Sequence, residues 1–328
     1  MRRSNVLVVA GEPICTPADL NSVSKEFELF ARRQNGRVCY ACAGERMRDT
    51  LSEEPGHAGI VLGAQPVWDP RGWPELLRRH SAIRQQINRA SNKSVEIEPT
   101  EPATEASTGG LKSILSEWML TRAMPPLHFL AEPDILGSLS DGQMILVARR
   151  CGHAVAFLVA SPIAARNGYL IELLARSRNA PNGTSELLID GAMRHAAASG
   201  ASYLTLGLVA LARAADGELH QNPLWVRGMM RFARAHASRF YRFGGLEYFR
   251  AKLAPAAWEP VYAIANERRF SWSTLYALGG AFSGIAPWRA IAIGAAQAAR
   301  AECEGLRDLW NSALERAVSR IVPGPEAS

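Results

Sequence analysis

The chain from Tyr169 to Leu208 predicts a strand, a loop, a helix and a second strand in that order. Both ends of this stretch are apolar runs typical of strands, and Pro181 marks the loop between the first strand and the helix. Gly183 precedes the helix, Thr184 suits its N-cap, and Glu186 suits a first turn because a helix dipole favours an acid there. Backbone N–H groups at a helix start have no intrahelical partners. The stretch therefore predicts an anion-binding site.

A second stretch, Phe240–Tyr262, packs aromatic residues, glycines, cations and acids into twenty-three positions. Gly244–Gly245 is expected to separate two helices, since glycine tolerates positive φ. The apolar spacing then predicts a short helix over Leu246–Leu253 and a strand over Trp258–Ile264. Lys252 is one of four lysines against thirty-three arginines, which suggests a role for a point charge. The alternative is a solvated helix position.

A basic helix is expected between Trp73 and Lys93. Its apolar stripe leaves several arginines on other faces, Arg84 and Arg89 among them. Arginine suits phosphate contacts because its donors form a planar fork. The alternative is an ordinary solvated face.

Other patterns predict the remaining organisation. Residues 96–110 (EIEPTEPATEASTGG) are poor in hydrophobic side chains and predict a linker, with a domain boundary near Thr108. The runs around Cys151–Gly152 predict a β-hairpin. Near the N-terminus, a strand over Val6–Ala10 is expected to precede a helix with a buried stripe, which contains Leu20, Val23, Phe27 and Phe30.

Composition limits the partners without choosing one. The formal charge of +6 and the pI near 9.3 suggest an anionic partner, such as RNA or an acidic membrane surface. Five cysteines do not suggest a disulfide framework, and Cys39 with Cys42 is expected in a buried strand rather than in a zinc or redox site. The N-terminus lacks a signal-peptide pattern, so a cytoplasmic location is expected.

One long motif carries a family resemblance. The pattern Gly-Leu-x-x-Phe-Arg-x-Lys-Leu-x-Pro-x-x-Trp-Glu-Pro-x-Tyr, from Gly245 to Tyr262, resembles the end of the catalytic domain of phosphatidylglycerol lysyltransferases. Glu172, Arg176 and the run Ala180–Glu186 (APNGTSE) match a second family segment. The resemblance covers about residues 5–266.

The match departs from the family in two places. Members are expected to have an Asp with an Arg three residues later, whereas this chain has Glu172 with Ala175 at that place and Arg176 one residue further on. Ala210 stands where the family has a proline. These departures leave the amino acid and the acceptor open.

The resemblance implies a fold and an activity. It implies an α/β fold of two tandem acetyltransferase-like (GNAT-type) lobes, with mixed sheets flanked by helices and a helical C-terminal extension. The expected domains are 1–107, 108–268 and 269–328. The implied reaction moves an amino acid from aminoacyl-tRNA to a hydroxyl of phosphatidylglycerol or a related lipid, without a metal or redox cofactor.

The resemblance also implies a membrane partner. The chain lacks the flippase region that precedes the domain in full-length members, so access to lipid would depend on the segment after Ser271 or on a separate membrane protein. That segment is uncharged and aromatic up to Trp288, which favours an interfacial position at the inner face of the membrane. The alternative is a helix packed on the body of the protein or on a second copy.

The expected roles follow the two motifs. Glu172, Lys252 and Arg176 are the expected catalytic residues, and Glu172 or Glu186 would bind the α-amine of the amino acid. Lys252, Arg250 and Arg176 would bind the lipid phosphate or the tRNA terminus. Further binding positions are expected at Asn182, Gly183, Thr184, Tyr241, Glu259, Tyr262, Arg84 and Arg89.

Two other functions stay open. One is a GNAT-fold acyltransferase with another activated donor and a small acceptor, although the glycine-rich sequence that binds the acetyl-CoA pyrophosphate is absent between Arg176 and Glu186. The other is a non-catalytic relative that binds lipid or RNA.

Overall fold

The computed structural model describes residues 2–3, 5–52, 55–101, 105–120, 135–137, 139–140, 142–236 and 243–283. Its strands are β1 (Arg2–Arg3), β2 (Val6–Ala10), β3 (Arg37–Ala43), β4 (Ala58–Trp68), β5 (Val95–Pro99), β6 (Met144–Arg150), β7 (His153–Ile163), β8 (Gly168–Arg176), β9 (Tyr203–Thr205), β10 (Val209–Ala210) and β11 (Ala257–Ala265). Its α-helices are α1 (Leu20–Arg33), α2 (Glu45–Ser52), α3 (Trp73–Arg79), α4 (Ser81–Ser91), α5 (Glu105–Leu120), α6 (Thr184–Ala198), α7 (Asp216–Leu219), α8 (Leu224–His236), α9 (Phe243–Lys252) and α10 (Trp272–Ser283).

The strands form one mixed sheet. Its order is β1-β2-β3-β11-β4-β9-β8-β7-β6-β5, and β10 pairs with β4 beside this path. The pairs β2–β3 and β8–β9 are parallel, and the others are antiparallel. The predicted α/β class, with mixed strands flanked by helices, is therefore confirmed.

β11 joins distant parts of the chain. It follows almost all other elements in sequence, yet it lies between β3 and β4, so the strand at the end of the long motif completes the N-terminal half of the sheet. Residues 1–284 form one compact unit. The domain boundaries near residues 107 and 268 stay predictions.

The core that supports the site lies between the sheet and α4 and α6. Ile83 and Ile87 of α4, Leu187 and Leu188 of α6 and Leu253 after α9 belong to the same buried cluster, together with residues of β6, β7 and β8. This packing holds the start of α6 and the end of α9 against one face of the sheet.

The linker prediction for residues 96–110 is wrong where the chain is described. Val95–Pro99 is a strand, and α5 begins at Glu105. The polar residues at the start of this segment belong to an edge strand. Among the described strands, β5 pairs with β6 alone, and it exposes Glu96 and Glu98 at the sheet edge. Buried Leu111, Ile114 and Leu115 stabilise α5 against the other face of the sheet.

Two helix predictions are also corrected. α9 begins at Phe243, so Gly244–Gly245 lies in its first turn and does not precede it. The basic segment forms two helices, α3 and α4, which meet at His80.

The buried stripe of α1 is displaced by one residue. Leu20, Ser24, Glu28 and Ala31 are buried, whereas Phe30 is 50% exposed. Burial of Glu28 is tolerated because its Oε1 lies 2.9 Å from His57 Nε2.

The hairpin prediction is confirmed. β6 and β7 pair in antiparallel register around Cys151 and Gly152, and both turn residues have positive φ, at 50° and 78°. Two central residues with positive φ are what a two-residue hairpin loop requires.

Candidate functional site

β8 and β9 form a short parallel pair. They pair over three positions, from Gly168 with Tyr203 to Leu170 with Thr205. β9 then ends, while β8 continues for six more residues to Arg176. Beyond Leu170, β8 pairs with β7 alone among the described strands, and ligands of open α/β sheets commonly bind in a crevice at the carboxyl ends of parallel strands. The crevice lies just before the loop that leads to α6.

Glu172 lies in a β-bulge at the start of this crevice. Val159 of β7 pairs with Leu173 and Ala160 pairs with Ile171, so Glu172 is the extra residue of β8. Its side chain is half-buried. Among the residues that the structure describes, no hydrogen-bond or ion-pair partner of its carboxylate is found. Bulges reorient side chains next to binding sites.

The start of α6 is fixed by tight packing on α4. Gly183 has φ 95°, and a Cβ at this position would overlap the carbonyl oxygen of Gln86. The predicted N-cap role of Thr184 is wrong, because Thr184 is the first helical residue and its hydroxyl donates to the carbonyl of Pro181 at 2.7 Å. The prediction missed this because the cap position is filled by a left-handed glycine.

Lys252 and Glu186 meet at this helix start. Lys252 Nζ, at the end of α9, lies 3.4 Å from Glu186 Oε1 in the first turn of α6. The carboxylate side chain is 10% exposed and the lysine side chain is 31% exposed. The structure therefore brings together one residue of each family motif, and the lysine side chain remains partly exposed.

The end of α9 makes two further contacts beside the crevice. Arg250 donates to the carbonyl of Gly207 at 2.6 Å, just after β9. The Trp68 indole N–H donates to the carbonyl of Leu253 at 3.1 Å. Arg250 thus contacts the backbone just after β9. It also lies two residues before Lys252 in the sequence.

Glu259 belongs to a separate polar cluster. Its Oε2 accepts from the Tyr203 hydroxyl at 2.9 Å and from Gln65 Nε2 at 3.3 Å, and its Oε1 pairs with Arg166 at 3.0 Å. Burial, followed by the charge of Glu259, raises the pKa of Tyr203 above its usual range. Tyr203, Gln65 and Arg166 were missed by the sequence analysis. Gln65 had one signal, since it is a polar residue within an apolar strand.

Tyr262 contacts a different cation. Its hydroxyl accepts from Arg48 at 2.6 Å, and the Arg48 guanidinium carbon lies 5.0 Å from the ring centroid. The ring is buried with residues of α1, α2 and β3. Burial raises the pKa of Tyr262. No hydrogen bond or ion pair among the described residues links Tyr262 directly to Lys252 or Glu172.

The remaining predicted residues have different surroundings. Arg84 donates to the carbonyls of Leu77 and Arg78 and so caps the end of α3. Three others, Arg89, Arg176 and Asn182, are exposed. Tyr241 lies outside the described residues.

Cys39 of the C-x-x-C pair is buried, as expected from its strand, and Cys42 is half-buried. Burial raises the pKa of both Cys39 and Cys42 to about 12, so both are thiols at neutral pH. Within the described ranges, no group of three or more His, Cys, Asp or Glu side chains is arranged to hold a metal ion. In the same ranges, no helix is long and apolar enough to cross a membrane.

The sequence of this chain is similar to sequences of known proteins over most of its length. The sequence profile of the family "Phosphatidylglycerol lysyltransferase, C-terminal" matches residues 1–265. A phosphatidylglycerol lysyltransferase from Staphylococcus epidermidis is 23% identical over 278 residues, which are 83% of this chain and 32% of that protein. The chain thus spans about a third of the length of this relative.

Two solved structures share the fold. The C-terminal domain of a candidate lysylphosphatidylglycerol synthetase from Agrobacterium fabrum has a TM-score of 0.67 at 21% identity, covering 87% of this chain and 85% of that one. L-PGS from Bacillus licheniformis has a TM-score of 0.66 at 18% identity, covering 85% and 83%. The similarity therefore extends over nearly the whole described structure.

Proposed function

This chain belongs to the family of phosphatidylglycerol lysyltransferase C-terminal domains, and we propose that it transfers an amino acid from aminoacyl-tRNA to a hydroxyl of phosphatidylglycerol or a related lipid. The family match over residues 1–265 supports aminoacyl transfer to lipid. The observation that carries the proposal for this chain is the contact between Lys252 and Glu186 beside the crevice of β8 and β9.

The reaction is an exchange of esters. The lipid hydroxyl oxygen attacks the carbonyl carbon of the aminoacyl ester and forms a new ester bond. The bond to the terminal ribose of the tRNA breaks, and the proton of the lipid hydroxyl ends on the ribose oxygen. Because the donor is already activated, catalysis requires alignment of the reactants, proton transfer and stabilisation of the carbonyl oxygen.

Glu172 is the better candidate for the α-amine of the amino acid. Both Glu172 and Glu186 lie near the crevice, but Glu186 is paired with Lys252. Glu172 is half-buried in the bulge and has no such partner among the described residues. A half-buried carboxylate gains most from an ammonium partner, since water screens it less.

Lys252 is the candidate for the lipid phosphate. Its side chain is partly exposed, and Glu186 fixes its position without enclosing it. A lysine ammonium binds phosphate as a point charge. Arg176, exposed at the end of β8, would contact the same headgroup or the tRNA terminus.

The proposed partners are therefore aminoacyl-tRNA and an anionic phospholipid surface. We place the protein at the cytoplasmic face of the membrane, as a peripheral protein or in complex with a membrane partner. The positive formal charge of +6 suits both anionic partners.

A labelling experiment tests the activity. The purified protein is incubated with bulk tRNA, synthetases, radiolabelled amino acids and phosphatidylglycerol vesicles, and the lipid is extracted. We expect label in the lipid for at least one amino acid. Lys252→Ala is expected to reduce the rate by about 10-fold to 100-fold, as for loss of a charged contact.

Lys112→Ala is the matched control, because Lys112 is exposed on α5. Equal rates for Lys252→Ala and wild type would show that Lys252 does not take part in the reaction. Absence of labelled lipid for every amino acid, in a folded protein, would refute the transfer. A thermal shift with acetyl-CoA would then favour an enzyme that uses another acyl donor. Binding of tRNA or vesicles without any transfer would favour a non-catalytic role.

A further inference from the structure

α10 presents aromatic residues on its outer face. Phe270, Ala277, Leu278 and Ala281 pack in a buried cluster with β2 and β3, so this helix lies on the body of the protein. The opposite side carries Trp272, which is 61% exposed, and Tyr276, which is 40% exposed. These residues are four apart and share one face. The helix therefore combines a packed face with an aromatic outer face.

α8 continues this surface. Leu224 is 79% exposed and Phe232 is 66% exposed, and both lie on one helix face because eight residues separate them. Arg227 and Arg231 flank the same face. Trp225 of α8 and Trp272 of α10 are in ring contact, with centroids 4.4 Å apart. The two exposed faces are therefore adjacent.

Arginines outnumber acids in this region, and its neighbouring carboxylate Glu267 is paired with Arg37 at 2.7 Å. Residues 224–236 and 268–283 contain five arginines and no Asp or Glu. Arg234 is paired with Asp216 at 2.8 Å. Arg231, Arg268 and Arg269 are exposed. An exposed face with Trp, Tyr, Phe and Leu beside arginines has the composition of an interfacial membrane-binding surface.

We propose that the outer face formed by Leu224, Arg227, Arg231, Phe232, Trp272 and Tyr276 docks onto an anionic lipid bilayer. The aromatic and leucine side chains enter the boundary between headgroups and acyl chains, and the arginines contact lipid phosphates. The choice of a lipid occupant rests in part on the proposed function, because a lipid acceptor must be reached in its bilayer.

Charge complementarity favours the bilayer over a second copy of the chain. Two such faces would place arginines against arginines without a carboxylate on either helix to compensate. A bilayer with anionic headgroups compensates every arginine at once. On a bilayer, the exposed apolar side chains are removed from water while the arginines bind the headgroups. A soluble anion would bind the arginines but would leave the apolar side chains in water.

Co-sedimentation with sucrose-loaded vesicles tests the surface. Phe232→Ser and Arg231→Glu are compared with Phe30→Ser and Arg33→Glu, which change the same residue types at exposed positions on α1. α1 packs against the opposite sheet face, since its cluster and that of α10 contain alternate residues of β3. The vesicles contain phosphatidylcholine with or without phosphatidylglycerol.

We expect wild-type protein to bind the anionic vesicles and to dissociate as salt rises. Arg231→Glu should weaken binding at least fivefold, since each arginine near an anionic surface contributes about a fivefold factor. Phe232→Ser should weaken binding about tenfold, and combining it with Trp272→Ser should weaken binding further. Circular dichroism checks folding, and Phe232→Ser suffices if the Trp272 variant does not fold. Both α1 variants should bind like wild type.

Equal binding by all variants would overturn the proposal. A change in oligomeric state or in tRNA affinity, with unchanged vesicle binding, would also overturn it in favour of a protein or RNA occupant. Transfer to a water-soluble short-chain phosphatidylglycerol separates docking from activity. Docking variants should retain this transfer and lose transfer to bilayer lipid. Wild type that binds vesicles through this face and transfers nothing would refute the proposed function alone.

Discussion

Glu172 and Glu186 show how two similar carboxylates acquire different roles. Both belong to the matched family segment, and the sequence left open which of them binds the amine. The structure pairs Glu186 with Lys252 at 3.4 Å and places Glu172 in the bulge of β8. The distinction depends on tertiary contacts, because 66 residues separate Lys252 from Glu186.

Glu172→Gln tests the amine site. The variant keeps the size of the side chain and removes its charge, so kcat/KM for the charged tRNA should fall by about 10-fold to 100-fold. An N-acetylated donor lacks the ammonium group. Wild type should therefore discriminate against it, whereas Glu172→Gln should lose most of this discrimination. Steady-state kinetics with both donors measures the effect.

Glu96→Gln is the control, because Glu96 is exposed on the edge strand β5. A Glu172→Gln enzyme that discriminates between the donors as strongly as wild type would place the amine elsewhere. Glu186 would then be the remaining candidate.

Other single residues could not be placed from sequence. Tyr203, Gln65 and Arg166 surround Glu259, yet each is an isolated polar residue along the chain. Arg84 was expected at a phosphate, but its guanidinium contacts two carbonyls of α3. A side chain of this kind has several possible partners within reach, and only the fold selects among them.

At the scale of elements, the strands with strong apolar runs were predicted well. β2, β3, β8 and the hairpin of β6 and β7 lie where the pattern placed them. β5 was missed because an edge strand exposes alternate polar residues and resembles a linker. The two glycines predict a break before α9, but Gly244 and Gly245 lie in its first turn.

The docking of α6 on α4 is the element contact that most directly fixes the site. Gly183→Ala should destabilise the protein by about 3 kcal/mol or more, since positive φ and the overlap with the Gln86 carbonyl both oppose a Cβ. Gly200→Ala, at φ 79° with no atom within 4 Å of its Cβ, should cost only about 1 kcal/mol. Urea unfolding of both variants gives the difference.

The comparison isolates packing from backbone strain. If both variants lose the same stability, the start of α6 does not press on α4 as described. Gly183→Ala should also reduce transfer more than Gly200→Ala at a temperature where both are folded, because it displaces Glu186 relative to Lys252.

For the whole molecule, the resemblance carried by the family motifs implies the class of fold. The order of the strands was not predicted. β11 enters between β3 and β4, and no local pattern specifies which distant strand it will join. Pro260 illustrates the point, because it pairs with Ala64 of β4 at a position where β3 no longer pairs with β11. The neighbour of a strand is decided by the packing of the assembled sheet.

This arrangement links the long motif to both halves of the sheet. α9 carries Lys252 to the start of α6, and β11 then completes the N-terminal strands. The two elements that contain the motif, α9 and β11, are thereby fixed by different parts of the chain. A site built in this way can hold two reactants in alignment, which is what an exchange of esters requires.

A single-turnover reaction with purified charged tRNA follows the proposed transfer without any other step. The donor carries a radiolabelled amino acid, and the reaction contains phosphatidylglycerol vesicles but no synthetase, ATP or free amino acid. Label should pass from tRNA to lipid, and ribonuclease treatment of the donor, which leaves a free aminoacyl-adenosine end, should strongly reduce the rate. Failure of the label to leave intact charged tRNA, with folded protein bound to the vesicles, would contradict the proposed transfer.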